Sequence, residues 1–476
     1  MPAFARIIVA FHLCWSAATM LWTLSTPLDE TRAASATTRV TWQDVAPLQA
    51  RLEAGGVTAA GFAAYVERTH RSNLHRVRDG DLDHLIFYAL QSRRFTSDPP
   101  IEPALSAKAF VEGLGGERDA FLRTHRAPLT AVPVAVRGRI AALLTSLDRP
   151  SDDTRLHYFR ELVQSAFPDR GTRLDELLGE YQRVMQFVYD KEFVAQRSAQ
   201  ADQAVADLYR TRGLSTDTAV EAGYVVYLGL GVMKSLSPDR PVRRVLIVGP
   251  GLDLAPRTGL LEEGPPESYQ PWAVIDALLA LGLSRADDLE VIGADINPRV
   301  VGHLNRSRAA PPALTLTTGI GEDEGVRFSA DYRDYFTGLG RAIAAAPAVA
   351  AADTSGGRLR KAVRVRPDVA RTLSAIELDI VTERLDDRPF DLVVATNILP
   401  YFDDRQLMLA ISNVAAMLAP NGVFLHNESR PLLREITAAL GFPLEQSRHA
   451  TIATVRGAAA PLGDSVYLHR RNAARR

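Results

Sequence analysis

Residues 243–253 constrain this chain most: Arg243-Arg244-Val245-Leu246-Ile247-Val248-Gly249-Pro250-Gly251-Leu252-Asp253. Four β-formers run without a polar break into two glycines one residue apart. That pattern describes a buried parallel strand entering a turn where backbone can approach a ligand closely. Gly-x-Gly alone is common in α/β proteins for packing reasons, so its weight comes from two later segments. Leu289-Glu290-Val291-Ile292-Gly293-Ala294-Asp295 ends a second apolar run in an acid, and Phe390-Asp391-Leu392-Val393-Val394-Ala395-Thr396-Asn397 supplies a third. Together they outline a nucleotide-type site along the carboxyl edge of a doubly wound sheet.

From Val242 onward strands alternate with helices, which predicts an α/β fold: a mostly parallel, doubly wound Rossmann-like sheet with helices on both faces. The expected strands are 243–248, 289–294, 313–318, 376–381, 390–395 and 421–426. A late pair, 450–455 and 465–469, predicts a hairpin-like end. Residues 37–236 read as helical. Leu174, Leu177, Leu178, Tyr181, Val184, Met185 and Val188 share one face at helical spacing, and 82–94 and 134–147 look similar. The sequence therefore divides into 1–36, a helical domain over 37–236 and a Rossmann-like domain over 237–476. The Ala-rich stretch Ala344–Ala352 reads as a flexible excursion with little to bury.

A net charge of -1 gives no reason to expect nucleic acid as a partner. The single cysteine, Cys14, excludes an intramolecular disulfide and a Cys-based zinc site. Four of the 55 basic residues are lysine, so arginine clusters are mostly background usage. The run Arg68, His70, Arg71, His75, Arg76, Arg78 accordingly reads as a solvated helix face. Asp79, Asp81 and Asp83 alternate like the start of a calcium loop. His84 stands where the loop's Gly belongs and Leu90 where its closing Glu belongs, so capping of a helix ahead of Leu82 is the better reading and no metal is expected.

Gly249 and Gly251 leave bare N–H groups open to a carboxylate, ribose or phosphate. Asp295 is suited to accept hydrogen bonds from ribose hydroxyls. The dinucleotide fingerprint is incomplete: Leu254 replaces its third glycine, and Asp295 follows Gly249 by 46 residues (295 − 249) rather than about 20. A plain structural turn and an ordinary surface aspartate form the alternative reading. Further on, Glu377-Leu378-Asp379-Ile380 precedes the Phe390 run, which continues Ile398-Leu399-Pro400-Tyr401-Phe402-Asp403. Then comes Met417-Leu418-Ala419-Pro420-Asn421-Gly422-Val423-Phe424.

These segments resemble the class I S-adenosylmethionine-dependent methyltransferases, in which "FDLV" opens the fourth strand and a Pro-Gly-Gly-like turn, here Pro420-Asn421-Gly422, precedes the fifth. Within that superfamily the pattern is most similar to the chemotaxis receptor-glutamate methyltransferases. Asn397, Tyr401 and Phe402 match that family's Asn-x-x-x-Tyr-Phe run, Asp295-Ile296 its "DI", and Tyr335-Phe336 with Val363-Arg364-Val365-Arg366-Pro367 its segment before strand four. The likeness covers about 243–430. Thr396 departs from the arginine usual there, and the helical stretch exceeds that family's amino-terminal domain. The resemblance implies S-adenosylmethionine as cofactor, with Gly249 and Gly251 at its methionine end, Asp295 at the ribose, Asp379 beside the adenine and Glu267 at the ammonium. It places Asn397 and Tyr401 where a small-molecule or protein acceptor meets the methyl group, and it implies O-methylation of a carboxylate. A helix cap and a half-buried aromatic are the plain alternatives for Asn397 and Tyr401. A non-catalytic, exported Rossmann-like binding module is the second functional reading; a nicotinamide dehydrogenase is a third and poor one, because its fingerprint needs a glycine where Leu254 stands and nothing in that class explains the Asn397 to Phe402 run.

The amino terminus pulls elsewhere. Arg6 precedes an apolar run, Ile7 to Leu24, and Ala34-Ser35-Ala36 offers a cleavage pattern, so residues 1–36 read as a bacterial signal peptide or, through 7–24, a membrane anchor. Export separates the chain from a cofactor made in the cytosol. A start at or near Met20 would leave a cytoplasmic enzyme instead.

Overall fold

The computed structural model describes residues 36–472 apart from 199, 255–264, 347–348, 351–356 and 459. Eight strands form the main sheet: β1 (Arg244–Val248), β2 (Glu290–Asp295), β3 (Val326–Phe328), β4 (Leu373–Glu377), β5 (Phe390–Ala395), β6 (Leu418–His426), β7 (Leu444–Val455) and β8 (Leu462–Arg470). Their spatial order is β3-β7-β8-β6-β5-β1-β2-β4. The strands from β6 across to β4 are parallel, while β8 runs antiparallel to β6 and β7 to β8. All five residues of β1 are buried, as a central strand covered on both faces requires. The chain leaves β1 toward β2 and β4, then returns to β5 on the other side. The topological switch point therefore lies between β1 and β5.

Five helices frame the site: α1 (Phe62–Gln91), α2 (Val220–Leu236), α3 (Gln270–Ala280), α4 (Pro298–Ala309) and α5 (Asp404–Met417). α5 starts on a capping box, Asp403 with Gln406, which satisfies two otherwise orphaned backbone donors. One apolar cluster unites residues of the helical stretch, such as Leu85, Tyr181 and Val225, with Val245 and Leu468 of the sheet. A second, on the other face, joins Val40, Leu52 and Phe62 to Leu246 and Val393. The helices expected at 134–147 and around Leu174–Val188 are present as Val134–Leu147 and Arg173–Tyr189.

Several expectations need correction. Residues 313–318 do not enter the main sheet. Ala313–Thr317 pairs antiparallel with Arg360–Arg364, which also pairs with Val349–Ala350. Part of the Ala-rich stretch is thus ordered by backbone pairing, although 347–348 and 351–352 lie outside the described residues. The strand expected at 376–381 is Leu373–Glu377, and its shift leaves Asp379 just past the strand's carboxyl end. The 37–236 stretch also contains a strand boundary: Ala36–Arg39 pairs antiparallel with Glu383–Asp386. Asp79, Asp81 and Asp83 cap nothing, because α1 extends well ahead of Leu82 to Phe62. Asp81 and Asp83 are buried and paired, with Arg299 at 3.1 Å and with Arg183 and Arg212 at 2.7 and 3.0 Å. Nor is the basic run wholly solvated, since Arg76 is buried and bonds the carbonyls of Arg212, Tyr401 and Tyr209. The amino-terminal apolar run and Met20 lie outside the described residues. Among those described, no helix is long and apolar enough to cross a membrane.

Candidate functional site

The turn after β1 requires its glycines. Gly249 and Gly251 have φ of +66° and +75°, the left-handed region that side chains disfavour. A Cβ on Gly249 would stand 2.4 Å from Ile398 Cγ2, and one on Gly251 2.3 Å from the Thr216 carbonyl oxygen. Gln270, at the start of α3, places its amide between Thr396 Oγ1 and the carbonyls of Gly249 and Pro250, tying the turn after β1 to that after β5.

Asp295 ends β2 and is buried. Its carboxylate accepts hydrogen bonds from the Asn297 N–H at 2.8 Å and from the Gly251 N–H. Burial pushes its pKa up to about 7, against those two bonds, and the nearby Asp81 adds to the rise. Asn297 caps α4 by accepting from Arg299 N–H at 3.0 Å and donates to Asp81 at 2.9 Å. Asp379 is also buried. It accepts from Asn73 Nδ2 at 3.1 Å, Thr382 Oγ1 at 2.9 Å and Val381 N–H at 3.1 Å, with His70 Nδ1 at 3.1 Å. The hydrogen bond to Asp379 raises the His70 pKa.

Asn397 follows β5 with φ +62°, a conformation Asn tolerates better than most residues. Its side-chain oxygen accepts from Asn427 Nδ2 at 2.7 Å, and Asn427 in turn accepts from the Asn397 N–H. Tyr401 is buried edge-on against Tyr209, centroids 5.5 Å apart, and hydrogen-bonds the Ser215 backbone.

Gly249, Gly251, Asp295, Asp379, Asn397 and Tyr401 all line one cavity of about 90 Å³ at the switch point. Glu267 does not line it. Its carboxylate takes the Thr315 N–H at 2.8 and 2.9 Å, holding the small antiparallel sheet, and burial lifts its pKa to about 7. Sequence reasoning missed the cavity's cover, formed by Asn73 and Val77 of α1 and by residues 214–218. Their contacts to the β-strand edge span up to 306 positions, and no local pattern reports that. A second, open cleft of about 780 Å³ adjoins the first, and Ser215, Asp217, Asn397 and Tyr401 line both. Its walls include Phe87, Phe187 and Tyr209. Among the described residues no group of three or more His, Cys, Asp or Glu could hold a metal ion.

No protein-family model matches the sequence, and no curated protein matches it. Similar solved structures include the N-methyltransferase NodS from Bradyrhizobium japonicum WM9, 14% identical over 52% of this chain and 94% of that one, TM-score 0.25. The magnesium protoporphyrin IX methyltransferase from Synechocystis PCC 6803, with bound SAM, is 10% identical over 58% and 99%, TM-score 0.27. The glycopeptide N-methyltransferase MtfA is 11% identical over 58% and 98%, TM-score 0.27. At such identities and TM-scores a likeness says nothing about activity.

Proposed function

We propose that this protein is an S-adenosylmethionine-dependent methyltransferase whose acceptor reaches the methyl group through the outer cleft. The observation that carries the reading is convergence. The positive-φ glycine turn, an acid ending β2 and a second acid just past β4 meet in one cavity, and Asn397 and Tyr401 stand between it and the outer cleft. The donor set fits the cofactor chemically. Asp295 would accept from ribose hydroxyls, Asp379 would lie beside the adenine, and the Gly249–Gly251 turn would pack against the methionine end; contrary to expectation its N–H groups are not bare, since Gly249 donates to the Ala294 carbonyl at 2.8 Å and Gly251 to Asp295. A bound sulfonium supplies an electrophilic methyl, so this chain's residues need only align the acceptor and exclude water. Volume does not fit. The cavity of about 90 Å³ is smaller than one of about 150 Å³ that holds benzene, and a nucleoside is larger still.

The sequence likeness to receptor-glutamate methyltransferases supports a carboxylate, but the outer cleft does not favour one. Asp83, Glu102, Glu192, Asp217 and Glu428 line it, and the lining cations Lys191, Arg210, Arg212 and Arg430 are already ion-paired. The incomplete glycine fingerprint, with Leu254 at its third position, supports a second reading, a non-catalytic Rossmann-like binding module; export through residues 1–36 would suit that reading. Titration calorimetry of the full chain with S-adenosylhomocysteine, followed by labelled-methyl incorporation into cell extract, separates the two. Binding with incorporation supports the enzyme, binding without incorporation supports the module, and no heat at millimolar ligand removes the cofactor reading.

A further inference from the structure

The mismatch between donor set and volume points to the cover. Residues 212–219 cross the Gly249–Gly251 turn and hold it by three hydrogen bonds, one between backbones and two through side chains. Leu252 N–H donates to the Thr216 carbonyl at 2.8 Å, Thr216 Oγ1 to the Leu252 carbonyl at 2.7 Å, and Thr218 N–H to Asp253 at 2.9 Å. On the other side the segment rests on α1. Leu214 N–H donates to the Arg76 carbonyl at 2.8 Å, and Thr216 N–H donates to His84 Nε2 at 3.2 Å.

The seat on α1 depends on two facing glycines. A Cβ on Gly80 would lie 1.9 Å from the Leu214 carbonyl oxygen, and one on Gly213 would lie 2.3 Å from the Gly80 nitrogen. Gly80 is in the interior of a 30-residue helix, where glycine is unfavourable relative to alanine. Close approach of the segment is the physical reason for a glycine there. The same segment, through Ser215 and Asp217, also borders the outer cleft. A molecule bound in that cleft therefore touches the element that covers the inner cavity.

We propose that residues 212–219 are a strap that closes the cofactor cavity and must lift from the Gly249–Gly251 turn before a nucleoside-bearing ligand can seat. The proposal rests on the inner cavity being a cofactor site. It makes strap opening, rather than encounter, the step that limits cofactor binding, and it gives an acceptor in the outer cleft a direct means of biasing that step.

The test uses the full chain, S-adenosylhomocysteine as probe, stopped-flow binding and hydrogen exchange. In the wild type the observed binding rate should level off as ligand rises, because opening precedes binding. The Leu214, Leu252 and Thr218 amides should exchange faster with ligand bound. Gly80→Ala favours the helix but pushes the strap off its seat, so the plateau rate should rise about tenfold. A wild-type rate that climbs linearly into the millimolar range, with the three amides unchanged or slowed, overturns the strap while leaving the cofactor reading intact. Absence of binding by both proteins overturns the cofactor reading and the strap with it. Should Gly80→Ala fail to fold, the wild-type kinetics and exchange decide alone.

Discussion

Replacing Asp295 by Asn should stabilise the protein at alkaline pH while weakening it as a cofactor binder. The carboxylate is 7% exposed and satisfied by two backbone N–H groups, yet burial lifts its pKa from 3.8 to about 7. A carboxyl whose folded pKa is raised binds its proton more tightly in the folded than in the unfolded chain. Stability is therefore greatest below the unfolded value and falls as pH rises from about 4 through about 7. At about 1.4 kcal/mol per unit, three units set a ceiling of about 4 kcal/mol. Asn keeps the shape and one carbonyl acceptor but cannot ionise, so it removes that cost and loses part of the charge-assisted bonding. The net expectation at pH 8 is about 1–3 kcal/mol of added stability, vanishing near pH 4. Chemical denaturation of wild type and variant across pH 4–8 reads this directly. The same change should weaken S-adenosylhomocysteine binding by about 1.5–3 kcal/mol, the range for a hydrogen bond to a charged group. A variant that is equally or less stable at pH 8, or a difference that does not change with pH, would refute the reasoning.

Gly251→Ala forces an L side chain into positive φ and drives its Cβ into the Thr216 carbonyl; denaturation should show a loss of about 2–4 kcal/mol. An NMR titration should find the His70 imidazole midpoint above 6.5. The His70–Asp379 bond then adds stability that is complete below 6.5 and lost as pH rises through the folded pKa, and a midpoint at or under 6.5 contradicts the contact. Amino-terminal sequencing of the native protein separates the two proposed readings: an end at or just after Met20 in the cytosol is expected for the methyltransferase, and a mature end at Thr37 in an extracytoplasmic fraction would reject it in favour of the exported module.

What the sequence made legible was what local pattern encodes. The runs at β1, β2 and β5 are apolar because both faces of a central parallel strand are covered, so each announced itself and the residue at its carboxyl end. Gly249, Gly251, Asp295 and Asn397 follow from that geometry. Asp379 was legible as a residue though its strand was misplaced. Ala313–Thr317 looked like a sheet strand because its length and composition are strand-like, and nothing local says which sheet it joins. Glu267 lies outside the cavity, and sequence alone could not show it, because a buried carboxylate holding the Thr315 N–H has the same local sequence as one facing a ligand. Asn73 and Gly80 escaped notice, and His84 was read only as the residue that spoils a calcium loop. Their importance comes from partners more than 130 residues away, at Asp379, Thr216 and Leu214.

The pairing of Ala36 with Asp386 bears on how the molecule comes to exist. A chain emerging from the ribosome at about 5–20 residues per second needs roughly 20–70 s to produce the 350 residues (386 − 36) that separate those partners. During that interval the strand Ala36–Arg39 lacks its pairing, and the first half of α1 lacks the Asp379 side chain that receives His70 and Asn73. The segment from Ala36 into the first half of α1 is thus among the last to settle. Nascent chains should show protease-sensitive sites near residues 40–75 until synthesis passes Asp386, and slow, high-contact-order refolding should follow in vitro.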